Sequence, residues 1–550
     1  MSISNRRRLA CLAVGGLMAT TAACAGGTTG SGKVTGFTKP IVTTPEATGE
    51  LDHVTWNLPS GEPTTLDPAK VGDYSPSTVE ANLCDPLLRL KPDYSYGPGL
   101  AESWSTPDPT TLVLNLRSDV TFWDGQKLTP RDVVYSLTRQ QDPNSGSVNT
   151  AYFANVASIT ETGPAQVTIK FTKSDELFLK LLSTSVGAVS QEAYAKKARK
   201  DYGQVGGGLM CTGPFKLASW KSGASITIAR NTAYWDPALR PKAAEVEFKF
   251  ITDGNTLSSA LLSGQIDGSY EVPLQTIRAL DGNGIGSHYY GIATQSVTLL
   301  VASDKSPLAD KRLTDALSLA LDRNAIIKNV FGGAAATEKT FIPPPVWQGS
   351  EARATFKHGY DALPEIPPVD LEEAKKLVEQ VNPARRTLTV ATPAGEQMSM
   401  QILTFLQAGA KKIGLDLQIK QMQMVDFSNV FYDPTKRDGL DMVIAFGYIE
   451  VPDPVSYAPA FTAPDGLFNW SGYNNPKVTD LLKQAQSTLD PAKSAEIFNQ
   501  AQALYTSTWP GLSVAAPYER MFMNKRISGA PASFAHINLP WAAMIGGTGK

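Results

Sequence analysis

Histidine and cysteine are scarce in this chain, four of each in 550 residues. His53, His288, His358 and His536 are scattered, without the His-Glu-x-x-His spacing that puts two imidazoles on one helix face around zinc. There is no Gly-x-Ser-x-Gly elbow and no Cys-x-x-Cys pair, so nucleophile and redox chemistry lack their usual carriers. A secreted hydrolase would need a polar triad that the chain does not offer, and each histidine reads as a core or surface residue. No enzyme activity, metal or cofactor is expected. An excess of charge is missing too: the net charge of −2 gives no basic face for nucleic acid. Beyond the N-terminus no apolar run is long enough to span a bilayer. What is present is the composition of a globular protein, 42% hydrophobic and 19% charged, long enough for more than one lobe.

The first residues read as a targeting segment. Arg6, Arg7 and Arg8 form a basic stretch, Leu9 to Thr20 a short apolar one, and Thr21-Ala22-Ala23-Cys24 closes on cysteine. That order resembles a bacterial lipobox, with Thr21 where leucine is usual. It implies residues 1–24 as a signal, lipidation at Cys24, and anchoring to the outer face of the cell membrane. An ordinary secretory signal cut near Ala23 is the alternative, and the arginines leave twin-arginine export open beside the general route. Residues 25–50 are rich in Gly, Thr, Ser and Pro without periodicity and read as a flexible tether, with a reach of roughly 25–30 Å. Gly27 to Val34, GTTGSGKV, nearly spells a phosphate loop. Val34 replaces the magnesium-binding hydroxyl and no buried strand precedes it, so it belongs to the tether.

The most telling stretch runs from Leu100 to Arg139. Leu112, Leu114 and Leu116 alternate as in a half-buried strand. Asp124-Gly125 supplies a turn. Thr129, Pro130 and Asp132 then fall at N-cap, N1 and N3 of a helix whose apolar face is Val133, Val134 and Leu137. Further on, Ile226 and Ile228 alternate, as do Val246, Phe248 and Phe250. Leu313, Ala316, Leu317, Ala320 and Leu321 make a helical stripe that Gly332-Gly333 ends. Asp370 with Glu373, Asn475 with Pro476, and Asp490 with Pro491 start three more helices. A helix near Ser77 to Leu83 follows PTTLDPAK.

The wording of these segments resembles the peptide-binding family of solute-binding lipoproteins that serve ABC importers. Its elements L-A-x-S-W, T-F-x-L-R, V-x-F-x-D-G and L-T-x-x-D-V stand here at Leu100 to Trp104, Leu112 to Arg117, Val120 to Gly125 and Leu128 to Val133. Similar matches recur at Ala260 to Asp267, in the L-A-L-D-R of Leu319 to Arg323, and near Leu415 to Gln423. The resemblance implies an α/β, bilobal, periplasmic-binding-protein-like fold with an inserted subdomain. Lobe I would comprise 51–88, 189–298 and 511–550, the insertion 89–188, and lobe II 299–510. It implies a monomer that delivers its ligand to membrane permease subunits.

Cys84 and Cys211 both stand beside landmarks of that lobe, which implies a disulfide; two separately buried thiols are the alternative. In oligopeptide binders of the family an acidic residue four positions before a proline holds the ligand's terminal ammonium. Glu450, before Pro454, falls there, one methylene (about 1.5 Å) longer than the usual Asp. The other reading is a solvated loop carboxylate. Gly447, Tyr448 and Ile449 would form one edge for an extended ligand, with Gly72, Asp73 and Tyr74 opposite. Tyr74, Tyr270 and Tyr448 either line side-chain pockets or pack, and Asp453 reads as a turn residue. Ile444 and Met400-Gln401 replace the arginines that clamp a short ligand's carboxylate, which favours longer peptides. The same loss fits a non-peptide cargo such as a haem, siderophore, nickel complex or sugar, or a receptor that no longer transports.

Overall fold

The computed structural model describes residues 39–549, so Cys24 and the signal lie outside the described residues. Three sheets organise the chain. The first is seven-stranded, in the order Gly286–Gly291, Glu519–Asn524, Gly268–Ser269, Leu51–Asn57, Ala243–Lys249, Ser225–Arg230 and Phe215–Lys221. Leu51–Asn57 runs parallel to Ala243–Lys249, with Trp56 opposite Phe248. The inward residues of both strands, Val54, Trp56, Val246 and Phe248, are fully buried, as the alternating pattern requires.

The second sheet is six-stranded: Ala335–Ala336, Leu512–Pro517, Gln295–Val301, Met442–Tyr448, Thr387–Pro393 and Asp416–Met422. Its core joins Leu299, Met442 and Ile444 to the helix Lys311–Ala320 through Leu313, Ala316 and Leu317. Two short connections, 292–294 and Tyr518, link the first sheet to the second. The crossings thus fall a few residues from the boundaries expected from the sequence. Gln295–Val301 and Leu512–Pro517 both belong to the second sheet, because each is hydrogen-bonded within it.

The third sheet is antiparallel, ordered Ala101–Asp108, Thr111–Leu116, Gln166–Phe171 and Val156–Gly163. It buries Leu112, Leu114 and Leu116 against Val133 and Leu137 of the helix Pro130–Gln141. That helix begins as the sequence predicts. Asp132 accepts from the Thr129 backbone N–H at 3.0 Å and from its hydroxyl at 2.7 Å. The turn before it needs glycine, since Gly125 has φ +85°. The same turn docks on the first lobe: Trp123 N–H donates to Cys211 O at 3.1 Å, and its indole N–H to Gly213 O at 3.2 Å. Cys84 and Cys211 are disulfide-bonded there, with Cα atoms 4.9 Å apart.

Several sequence expectations need correction. The end of the supposed tether, from residue 39 on, is packed on the first lobe rather than loose. Ile41 bridges to Gly291 and Gly49 to Gly547, and Thr44 donates to Ala530 O at 2.8 Å. Its scattered bridges have no periodicity to read. The stripe between 308 and 334 forms two helices, because Asp322 caps a second one, Arg323–Asn329, at the Ala325 N–H (2.8 Å). The helix after PTTLDPAK spans Tyr74–Glu80, earlier than expected, because Asp73 caps it. The starts at Asp370, Asn475 and Asp490 are as read, each side chain accepting from a first-turn N–H.

Candidate functional site

The two crossings bring together residues that the sequence keeps far apart. Tyr74, at the start of its helix, lies 5.1 Å from the Tyr448 ring between centroids, and Phe534 stands 5.7 and 5.3 Å from the two. Ala293 and Ile537 complete this small cluster. Burial raises the Tyr74 phenol, helped by the charge of Glu271, while a hydrogen bond to Gln295 works the other way.

Tyr448 ends the strand Met442–Tyr448, whose two edges are unequal. On one side it pairs antiparallel with Gln295–Val301 along its full length, Gln295 facing Tyr448 and Ser296 facing Gly447. On the other, Thr387–Pro393 pairs with it only at Met442 and Val443. Among the described residues no strand pairs with Ile444–Tyr448 on that edge. Ile449 donates its N–H to Thr294 O at 3.1 Å. Alternation therefore turns the N–H and C=O groups of Phe446 and Tyr448 towards the unpaired edge.

Glu450 follows directly and is partly buried. Burial alone lifts its carboxyl to about 7, with no hydrogen bond or ion pair opposing the rise. Burial raises the phenols of Tyr448 and Tyr152, and the Glu450 charge adds to the rise in both. Three residues on, Asp453 is the opposite case. It caps the helix Pro454–Tyr457 at the Ser456 N–H (2.9 Å) and forms an ion pair with Lys180 of the inserted subdomain. Although burial opposes ionisation, the Lys180 charge and these hydrogen bonds hold its pKa below the usual carboxylate value. The reading of Asp453 as a turn residue saw the cap; Lys180, 273 residues away, left no signal in the sequence.

The other predicted residues fall unevenly. Gly72 and Asp73 are exposed at the head of the Tyr74–Glu80 helix, where Asp73 Oδ1 accepts the Tyr74 N–H at 2.8 Å. Ile449 is 5% exposed and packs into the second lobe. Tyr270 lies inside the first lobe, 2% exposed, stacked 3.6 Å over His536 and donating its hydroxyl to Pro531 O at 2.9 Å. It is a packing residue, and a lone tyrosine after a strand gave no means of telling. Sequence reasoning also missed Glu271 and Glu519 near Tyr74: burial raises both carboxyls, the Glu519 charge raises Glu271 further, and the Glu271 N–H, donating to Glu519 at 2.7 Å, works against the rise of Glu519. Among the described residues no group of three or more His, Cys, Asp or Glu is placed to hold a metal ion. Surface hollows of about 500 and 560 Å³ lie near Phe250 and Ile266 and near Arg386 and Gln407. Neither includes a residue of the segments above.

Two α/β lobes joined by short crossings, with partner-less polar groups where they meet, define a solute-binding protein of the periplasmic-binding type. Residues 95–469 match the model for bacterial extracellular solute-binding proteins, family 5, middle region, and the chain belongs to that family. It is therefore the solute-binding component of an ABC importer. A curated relative, the glutathione-binding protein GsiB of Escherichia coli, is 24% identical over 80% of this chain and 84% of its own. Among solved structures, Helicobacter pylori DppA in complex with the peptide STSA superposes with a TM-score of 0.74 at 20% identity, covering 91% of this chain and 99% of its own. AgaA of Agrobacterium tumefaciens, bound to agropinic acid, gives 0.72 at 21%, covering 90% and 98%. At these identities the structural likeness speaks for the fold alone. Among the described residues no helix is long and apolar enough to cross a membrane.

Proposed function

We propose that the protein captures peptides at the junction of its lobes and hands them to the importer's permease, tethered outside the cell by lipid on Cys24. The observation that carries the peptide reading is Glu450, a partly buried carboxylate that, like the strand edge beside it, has no partner among the described residues. A peptide brings both complements: an ammonium for the carboxylate and a backbone for the Phe446–Tyr448 edge. Tyr74 and Tyr448 would flank it, with Gly72 and Asp73 on the facing segment. The relative named for glutathione and the similar structure holding STSA favour a peptide; the one holding agropinic acid favours a non-peptide cargo. No step requires catalysis or nucleotide on this chain, and a monomer suffices.

Calorimetry with peptides of two to eight residues tests the reading. Free-amine peptides are expected to bind, and acetylating the amine of a binder is expected to weaken it about tenfold or more. Because the contact needs the ionised carboxylate, affinity should fall as the pH drops below about 7. Absence of binding by every free-amine peptide sinks the peptide cargo, and mass spectrometry of co-purified ligand would then identify what replaces it. For the anchor, Cys24→Ser should move the protein from the membrane fraction to the medium; an unchanged distribution removes the lipid.

A further inference from the structure

A second carboxylate in the second lobe has no hydrogen-bond partner among the described residues. Glu338, in the loop after Ala335–Ala336, is 2% exposed, and both of its carboxyl oxygens are buried without a hydrogen-bond partner. The adjacent cation is turned elsewhere: Lys339 Nζ donates to Glu365 at 2.6 Å and to Leu363 O at 3.0 Å, and lies over the Tyr360 ring. A buried carboxyl in this position must either hold a proton or receive a cation. Burial does drive its pKa well upward.

Open space stands close by. Gly447 has no side chain, and a Cβ built there would meet one atom within 4 Å beyond its own neighbours, the Tyr457 hydroxyl at 4.0 Å. Its φ is not in the left-handed region, so backbone conformation is not the reason for glycine. Alternation puts Gly447 on the same face of its strand as Ala445, which packs against the buried cluster that contains the mutually contacting rings of Phe341, Phe461 and Trp509. Tyr457 ends the short helix after Glu450, and its ring lies 5.1 Å from Phe461, itself 4.7 Å from Phe341, three residues on from Glu338; in keeping with that, burial first and the Glu338 charge next raise its phenol.

We propose that Gly447, Tyr457 and Glu338 form a side-chain pocket selective for a ligand group with a positive charge at the end of an aliphatic stem, lysine-like or arginine-like. The gap at Gly447 admits the stem, the aromatic wall covers its methylenes, and Glu338 receives the charge. Glu450 would hold the terminal ammonium and Glu338 a side chain, so two carboxylates read two parts of one cargo. The pocket rests on the peptide reading only for the molecule that carries the cation.

The test titrates trialanine variants with a single lysine at each position, their norleucine counterparts, and agmatine, which has a guanidinium and no peptide backbone. The wild-type protein should prefer lysine over norleucine at least tenfold at one position. That ratio should fall to within about twofold of unity in both Glu338→Gln and Gly447→Leu; the second variant closes the gap without touching the carboxyl. Equal binding of lysine and norleucine peptides by the wild type overturns the pocket and leaves the peptide reading standing. So does a lysine preference that survives Glu338→Gln. Agmatine binding that Glu338→Gln abolishes, with every tripeptide silent, supports the pocket on a cargo other than a tripeptide. Silence of tripeptides and agmatine alike overturns the pocket, and the series of two to eight residues decides the peptide cargo separately.

Discussion

The stretch Leu100–Arg139 and the stretch Gly447–Asp453 are built on opposite terms. In the first, polar groups find partners within the protein. Asp132 takes two hydrogen bonds from Thr129 and a third from the Glu192 N–H, and Arg139 is paired with Asp67. In the second, Glu450 and one edge of the strand before it have no such partner, while only Asp453, at its far end, is fully engaged. A scaffold segment satisfies its own hydrogen bonds because folding demands it. A segment that leaves buried polar groups unsatisfied holds them for something else, at some cost to stability.

If the contrast is right, changes in the scaffold should move stability and spare binding. The largest effect is expected from Cys84→Ala combined with Cys211→Ala, which releases a crosslink spanning 127 residues. Chemical denaturation should show a loss of about 3–5 kcal/mol with ligand affinity retained. Lys180→Met, which leaves Asp453 charged and buried without its partner, should destabilise by about 2–3 kcal/mol. It should also loosen the contact between the insertion and the second lobe, visible as faster amide exchange at 176–182. Asp132→Ala, losing three hydrogen bonds, should cost about 2 kcal/mol and leave affinity alone; a fall in affinity there would break the comparison.

Glu450→Gln should do the reverse, weakening a bound free-amine peptide about tenfold while stabilising the empty protein by a smaller amount. The sign follows from the raised pKa. The folded carboxyl stays protonated up to about 7, whereas the unfolded one ionises from about 4.5, so stability is lost as pH rises between those values. The glutamine variant lacks that loss. Its advantage over the wild type should therefore grow from about pH 4.5, level off above pH 7, and be absent in acid. Thermal melts across that range measure it, and an advantage independent of pH would mean that Glu450 does not titrate there.

Much of the scaffold was legible because its causes are local. Strand alternation at Leu112 to Leu116, the Asp124-Gly125 turn and the caps at Thr129, Asp370 and Asp490 each depend on residues within a few positions. The break between Lys311–Ala320 and Arg323–Asn329 was missed, because the apolar stripe runs across it while Asp322 restarts the helix. The candidate site was legible only in its position along the chain. Of the candidate residues, Glu450 and Tyr448 were named from their motif and Tyr448 does stand beside Tyr74, but Tyr270 went to the core, where Trp56, His536 and Trp541 surround it. Glu338 carried no signal, since a single acid in a loop looks solvated until the fold buries it.

The sequence by itself determined the family and the elements whose caps and alternation are local, because those rest on short-range sterics and hydrogen bonds repeated along the chain. The tertiary structure decided which polar groups would be left over. Lys180 reaches Asp453, while among the described residues no hydrogen-bond or ion-pair partner reaches Glu450 or Glu338, and burial is a property of the surroundings that no neighbour in sequence records.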